Sequence, residues 1–330
     1  MKTRKLAVAF VHGIEISDPS FAATPTRLLK QLFGEELAAL DVDPDDALEI
    51  RGINWAAEIE GRQKELFARV YRDEGEKWFG ENLAELVKKL NAGSLWALAP
   101  FLGSLLLPRV GKLDALHYPT ARWLMMHFVG DALAYDRSRD ASNYEAILAS
   151  LGEGLAGLAR TAGDDAPLCV IAHSFGTVVT SDYVYDFQRS TPGHDAVPLR
   201  VREAGGDTPL ARGETLTWFY TMGSPMALFG LRYPDARLDR PIAFPGALAA
   251  RDWPSLAEWV NLYDKDDIIA YPLRPLSCEY EAVVKEDRAV EVKGLPVAAT
   301  PLVHLYYWAD ETVMRPIAKA LADGWRKLNT

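Results

Sequence analysis

The chain has 330 residues, 49% of them hydrophobic and 25% charged, the balance of a globular protein with a sizeable core. Its 36 basic and 46 acidic residues leave a net charge of −10, and no basic run or basic–aromatic patch offers a surface to nucleic acid, which is excluded as a partner. The two cysteines, Cys169 and Cys278, cannot build a disulfide framework, and the six histidines keep no metal-ligand spacing, so neither a metal nor any other cofactor is expected.

In chain order, the basic N-terminus leads into the apolar run Leu6–Val11. Six residues are too few for the apolar stretch of a signal peptide, and no small-residue cleavage site follows, so the run reads as a buried first strand and the protein as cytoplasmic. His12-Gly13-Ile14 closes it. Residues 48–55 alternate and give a second strand. Residues 62–128 read as an inserted helical cap or lid. Within them 94–107 is strongly apolar, but it is shorter than a membrane span and is broken by Pro100. The favoured reading of that stretch is a cap packed on the sheet; the alternatives are a lid over an apolar site and a transient membrane contact.

Residues 143–160 carry Tyr144, Ile147, Leu148, Leu151, Leu155 and Leu158 at helical spacing, so one face packs on a sheet. A turn then leads into a third apolar run, 168–172. Residues 190–214, rich in Pro, Gly and charge, read as an exposed loop. Leu216–Met222 and 259–263 are further short apolar runs, separated by irregular cover at 225–257. Residues 278–293 alternate around Lys-Glu-Asp-Arg and suggest a hairpin. Val313, Ile317, Leu321 and Trp325 mark a final helix despite Pro316. Short buried strands alternating with helices predict an α/β fold, with a mostly parallel central sheet flanked by helices, as one domain over 1–330.

Four segments carry chemistry. The first is Ala172-His173-Ser174-Phe175-Gly176, where a buried strand runs into a helical stretch. Small residues two positions either side of Ser174 permit the sharp strand-to-helix turn of a nucleophile elbow, which lifts a hydroxyl clear of the sheet. The second is His12-Gly13-Ile14. An oxyanion needs backbone N–H donors, and the candidates are those of Phe175, Gly13 and Ile14, with His12 shaping the loop rather than acting as a base. The third is the cluster Asp264, Asp266 and Asp267 after the fifth run. One of these would orient a histidine; Asp267, next to Ile268-Ile269-Ala270, is favoured, with Asp266 as the alternative. The fourth is His304, in a late loop before the last helix. His117, His127 and His194 fall in the insertions, and His173 sits in the elbow with its side chain expected to turn away. The order Ser174, Asp267, His304 is that of an α/β-hydrolase triad.

With these segments in view, the chain resembles the α/β-hydrolase superfamily from residue 6 to about 325, insertions excluded, and within it the lipases and esterases. The motifs are His12-Gly13-Ile14, Ala172–Gly176, Tyr263–Tyr271 and His304-Leu305-Tyr306-Tyr307-Trp308. Asp267-Ile268-Ile269-Ala270-Tyr271 is also similar to a segment of the DDHD-type phospholipases, which again puts the acid at Asp267. The resemblance implies a serine hydrolase that cleaves carboxylic esters through an acyl-enzyme, on a small-molecule or lipid substrate. It leaves open an acyltransferase or thioesterase on the same triad, or a binding protein that keeps the fold without turnover. Acyl length, head group and oligomeric state are not written in these residues.

Overall fold

A computed structural model of the chain describes residues 3–13, 20–57, 61–62, 65–66, 69, 132–135, 141–191, 195–232, 241–292 and 301–330. Six strands form one sheet: β1 (Leu6–Val11), β2 (Leu48–Ile53), β3 (Leu168–His173), β4 (Leu216–Met222), β5 (Glu258–Tyr263) and β6 (Glu286–Ala289). Their order is β2-β1-β3-β4-β5-β6, and every neighbouring pair is parallel. The helices used below are α1 (Ala23–Glu36), α2 (Ser142–Ala162), α3 (Phe175–Arg189), α4 (Leu199–Gly205), α5 (Met226–Phe229), α6 (Cys278–Val283) and α7 (Glu311–Asn329).

β1, β3 and β4 are buried at every position, so both faces of the sheet must be covered, and crossover helices are what cover them. Leu6, Val8 and Phe10 of β1 face one side with Cys169 and Ile171 of β3, under α1 and α7. Ala7, Ala9 and Val11 face the other with Val170 and Ala172, under α2 and α3. α7 runs through Pro316 and buries Val313, Ile317, Leu321 and Trp325, the residues that announced it; the side chain of Asp310 caps its start by accepting from the Thr312 N–H at 2.7 Å. From β1 the chain crosses to β2 on one side and then to β3 on the other. This reversal makes the carboxyl ends of β1 and β3 the topological switch point of the sheet, the place where such sheets commonly bind ligands.

Two expectations are corrected. Residues 190–214 are not an exposed loop throughout: they include α4, and Val197, Val201, Leu210 and Ala211 are buried against the α2–α3 side of the sheet. Their few apolar residues are spread among charges, too sparsely to show a period. Residues 278–293 are not a hairpin. They form α6 followed by β6, which pairs parallel to β5. The charged Lys285-Glu286-Asp287-Arg288 run that looked like a turn is largely the strand itself, at the sheet edge, where charge is the usual protection of an unpaired strand. The expected cover at 225–257 contains α5, a 3-10 turn at Gly230–Arg232 and a short helix at Ala247–Asp252. The predicted cap at 62–128, with its 94–107 segment, lies almost wholly outside the described residues. Among the described residues no helix is long and apolar enough to cross a membrane.

Candidate active site

β3 ends at His173, and α3 begins at Phe175; Ser174 alone makes the turn, with φ 53° and ψ −129°. A positive φ on a side-chain-bearing residue is strained and persists only where its surroundings impose it. Here they do. The Ser174 N–H donates to the Met222 carbonyl of β4 at 2.9 Å. The Ser174 carbonyl accepts from both the N–H (3.0 Å) and the hydroxyl (2.7 Å) of Thr177. The Thr177 hydroxyl in turn lies 2.8 Å from that of Ser224, whose oxygen accepts from the Met226 N–H. Gly176 completes the turn, because a Cβ there would overlap the carbonyl oxygens of Val11 and His12. The start of α3 is thereby pressed against the end of β1.

Two further loops reach the hydroxyl. The His304 Nε2 lies 2.8 Å from Ser174 Oγ, and its Nδ1 lies 2.8 Å from Asp267 Oδ2. A buried carboxylate can only accept, so Nδ1 carries the proton and Nε2 presents its lone pair to the Ser174 hydroxyl. Asp267 is buried and held on both oxygens: Oδ1 accepts from the Ile269 N–H at 3.1 Å, and Oδ2 also accepts from the Tyr307 hydroxyl at 3.0 Å. Burial works to raise its pKa. The imidazolium charge and hydrogen bond of His304, with the donors of Ile269 and Tyr307, outweigh burial and leave it below the ordinary carboxylate value. Gly223, at φ 56°, leaves room for this pair; a Cβ there would stand 3.1 Å from both Asp267 Oδ2 and His304 Nδ1.

No protein-family model, curated protein or solved structure matches this chain. The site is therefore read from its own geometry.

That geometry brings together Ser174, His304 and Asp267, which lie 130 and 37 residues apart along the chain. It separates the three aspartates of the cluster. Asp266 is exposed, and only its backbone N–H is engaged, with Asp264 Oδ1. Asp264 is buried and ties the loop by accepting from the Asp266 N–H and, at 2.8 Å, from the Val292 N–H. Phe175 occupies the first position of α3, where a helix leaves its N–H without an intrahelical acceptor. Gly13 lies against the serine, since a Cβ on it would come within 2.5 Å of Ser174 Cβ. Ile14, His117, His127 and His194 fall outside the described residues.

Sequence reading missed two neighbours. His173 does not turn away. Its Nε2–H donates to the His304 backbone carbonyl at 2.8 Å, and the two rings lie 4.7 Å apart. Burial first, and then the charge of His304, hold its pKa well below the ordinary imidazole value, so it stays neutral beneath the other ring. Tyr307 is the second, and its signal was in plain view three residues after His304. A run of aromatics there reads as core, and core it is; only the hydroxyl does more. His12 shapes its loop as expected: it stacks on Trp55, and its ring nitrogens meet the Gly13 carbonyl and the Asn54 side-chain amide.

Proposed function

We propose that the protein is a serine hydrolase of the α/β-hydrolase type that cleaves carboxylic esters, with Ser174 as nucleophile, His304 as general base and Asp267 as the acid that orients it. One observation carries the reading: the unbroken relay from Ser174 Oγ through His304 to Asp267, with both bonds at 2.8 Å. The strained backbone at Ser174 and the order of the three groups after β3, β5 and β6 support it.

In this reading His304 Nε2 takes the Ser174 proton as Oγ attacks the ester carbonyl. The negative charge that develops on the carbonyl oxygen is received by the Phe175 and Gly13 N–H groups, the former at the positive end of α3. His304 passes the proton to the leaving alcohol, and an acyl-enzyme remains on Ser174. Water, deprotonated by the same imidazole, then releases the acid. Asp267 keeps the proton on Nδ1 throughout.

A fluorophosphonate probe tests the reading directly. Wild type is expected to label, and Ser174→Ala and His304→Ala to fall by several orders of magnitude in labelling and in ester turnover. Hydrolysis at near-wild-type rate by folded Ser174→Ala would overturn it.

A further inference from the structure

Tyr307 lies within a 3-10 turn, three residues beyond His304, with its ring fully buried. Its hydroxyl has two partners. It accepts from the Asp264 N–H at 2.8 Å and donates to Asp267 Oδ2 at 3.0 Å. The first contact fixes the second: with the amide proton of Asp264 taking a lone pair, the hydroxyl proton is directed at Asp267. A phenol that only filled core space would have needed neither bond, and phenylalanine would have served.

The same oxygen, Asp267 Oδ2, also accepts from His304 Nδ1. The phenol and the imidazole thus share one carboxylate oxygen, and whatever charge the phenol draws is withdrawn from the imidazole. We propose that Tyr307 is a positioning residue of the site, setting how strongly Asp267 holds His304 as well as where it holds it. This rests on the triad reading above, which it deepens. Among the described residues, the groups that face His304 are Ser174 on one ring nitrogen, Asp267 on the other, the ring of His173 at 4.7 Å and that of Tyr307 at 6.4 Å. Of these, Tyr307 alone touches both the acid and the backbone of the loop that delivers the acid. Asp264 acts on the pair through that backbone N–H, while its carboxylate is occupied by the N–H groups of Asp266 and Val292.

The test compares wild type with Tyr307→Phe by two readouts on the full chain. The first is the low-field proton resonance of the His304 Nδ1–H, assigned by its loss in His304→Ala. Without the phenol, more charge stays on Oδ2, so the resonance is expected to move further downfield. The second is the rate of fluorophosphonate labelling across pH, expected to fall about tenfold at neutral pH, the scale of one hydrogen bond to a charged group. Asp267, released from the phenol, no longer holds the His304 ring in line with Ser174, and that loss outweighs the gain in basicity. Placing 3-fluorotyrosine at position 307 keeps the oxygen and makes it a stronger donor. It should move the resonance upfield, and it provides the answer if Tyr307→Phe fails to fold. An unmoved resonance in both variants, with labelling unchanged, would overturn the proposal. If wild type takes no label while the resonance still shifts, the hydrolase reading fails and the role of Tyr307 stands.

Discussion

Three aspartates within four residues have three fates, and burial together with hydrogen-bond partners decides among them. Asp266 points into solvent, Asp264 spends its carboxylate on two backbone amides, and only Asp267 combines burial with a free face toward an imidazole. Asp267→Asn is therefore expected to cut turnover by roughly three to four orders of magnitude, because an amide favours the wrong imidazole tautomer, whereas Asp266→Asn should stay within about twofold of wild type. Steady-state hydrolysis of a chromogenic ester by the two purified variants decides it; equal losses in both would put the acid elsewhere. The sequence favoured Asp267 on its apolar neighbours and on a resemblance of the segment they open, and a physical reason kept it from going further. The discriminating partners, Val292 and Tyr307, lie 28 and 40 residues away from the residues they engage, beyond any local pattern. His173 was misread for the same reason. As an elbow residue it lies on the strand side of the turn, but its ring reaches the carbonyl of a residue 131 positions on.

The elements whose type was legible were those buried on two faces or along one regular stripe. β1, β3 and β4 stood out as apolar runs because the sheet hides every one of their side chains, and α2 and α7 because one stripe of each is buried. β6 was illegible because it is an edge strand carrying Glu286, Asp287 and Arg288, half-buried and charged, so its alternation was taken for a hairpin around a turn. Its place still matters to the site, since it lies beside β5, and the chain beyond it delivers His304. The strand-to-helix joint at Ser174 is where an element-scale prediction bears hardest. Gly176→Ala would drive a methyl group into the backbone carbonyls of β1, which cannot rotate away as a side chain would. We expect a loss of about 2 kcal/mol or more in unfolding free energy, with labelling of Ser174 reduced even where the protein remains folded, because α3 must back away from β1. Urea unfolding read by circular dichroism measures the first and probe labelling the second. A variant as stable and as reactive as wild type would show that the joint is looser than drawn.

At the scale of the molecule, two imidazoles are buried uncharged at the ends of adjacent strands. His12 lies just past β1 and packs on Phe21 and Trp55, and His173 ends β3 and packs on His304 and Tyr307. Burial lowers His12 from the ordinary 6.5 to about 4, outweighing its bonds to Gly13 and Asn54, and pushes His173 well below 6.5. In the unfolded chain both take a proton near 6.5, while in the fold neither does until the pH is far lower. The unfolded state therefore binds more protons below pH 6.5, and stability falls as pH falls through the window from 6.5 to 4. His12 alone costs about 2 kcal/mol by pH 5 and about 3 kcal/mol by pH 4, a sizeable part of the total for an ordinary domain. Asp267 acts in a lower window: its pKa is depressed in the fold, so its contribution is present above the ordinary carboxylate value of 3.8 and is lost only as pH drops through the folded value. The prediction is a urea midpoint that declines steadily between pH 7 and pH 5, well before carboxylate protonation can account for it, and a shallower decline in His12→Gln. A midpoint constant over that range in wild type would mean that these imidazoles reach water in the fold.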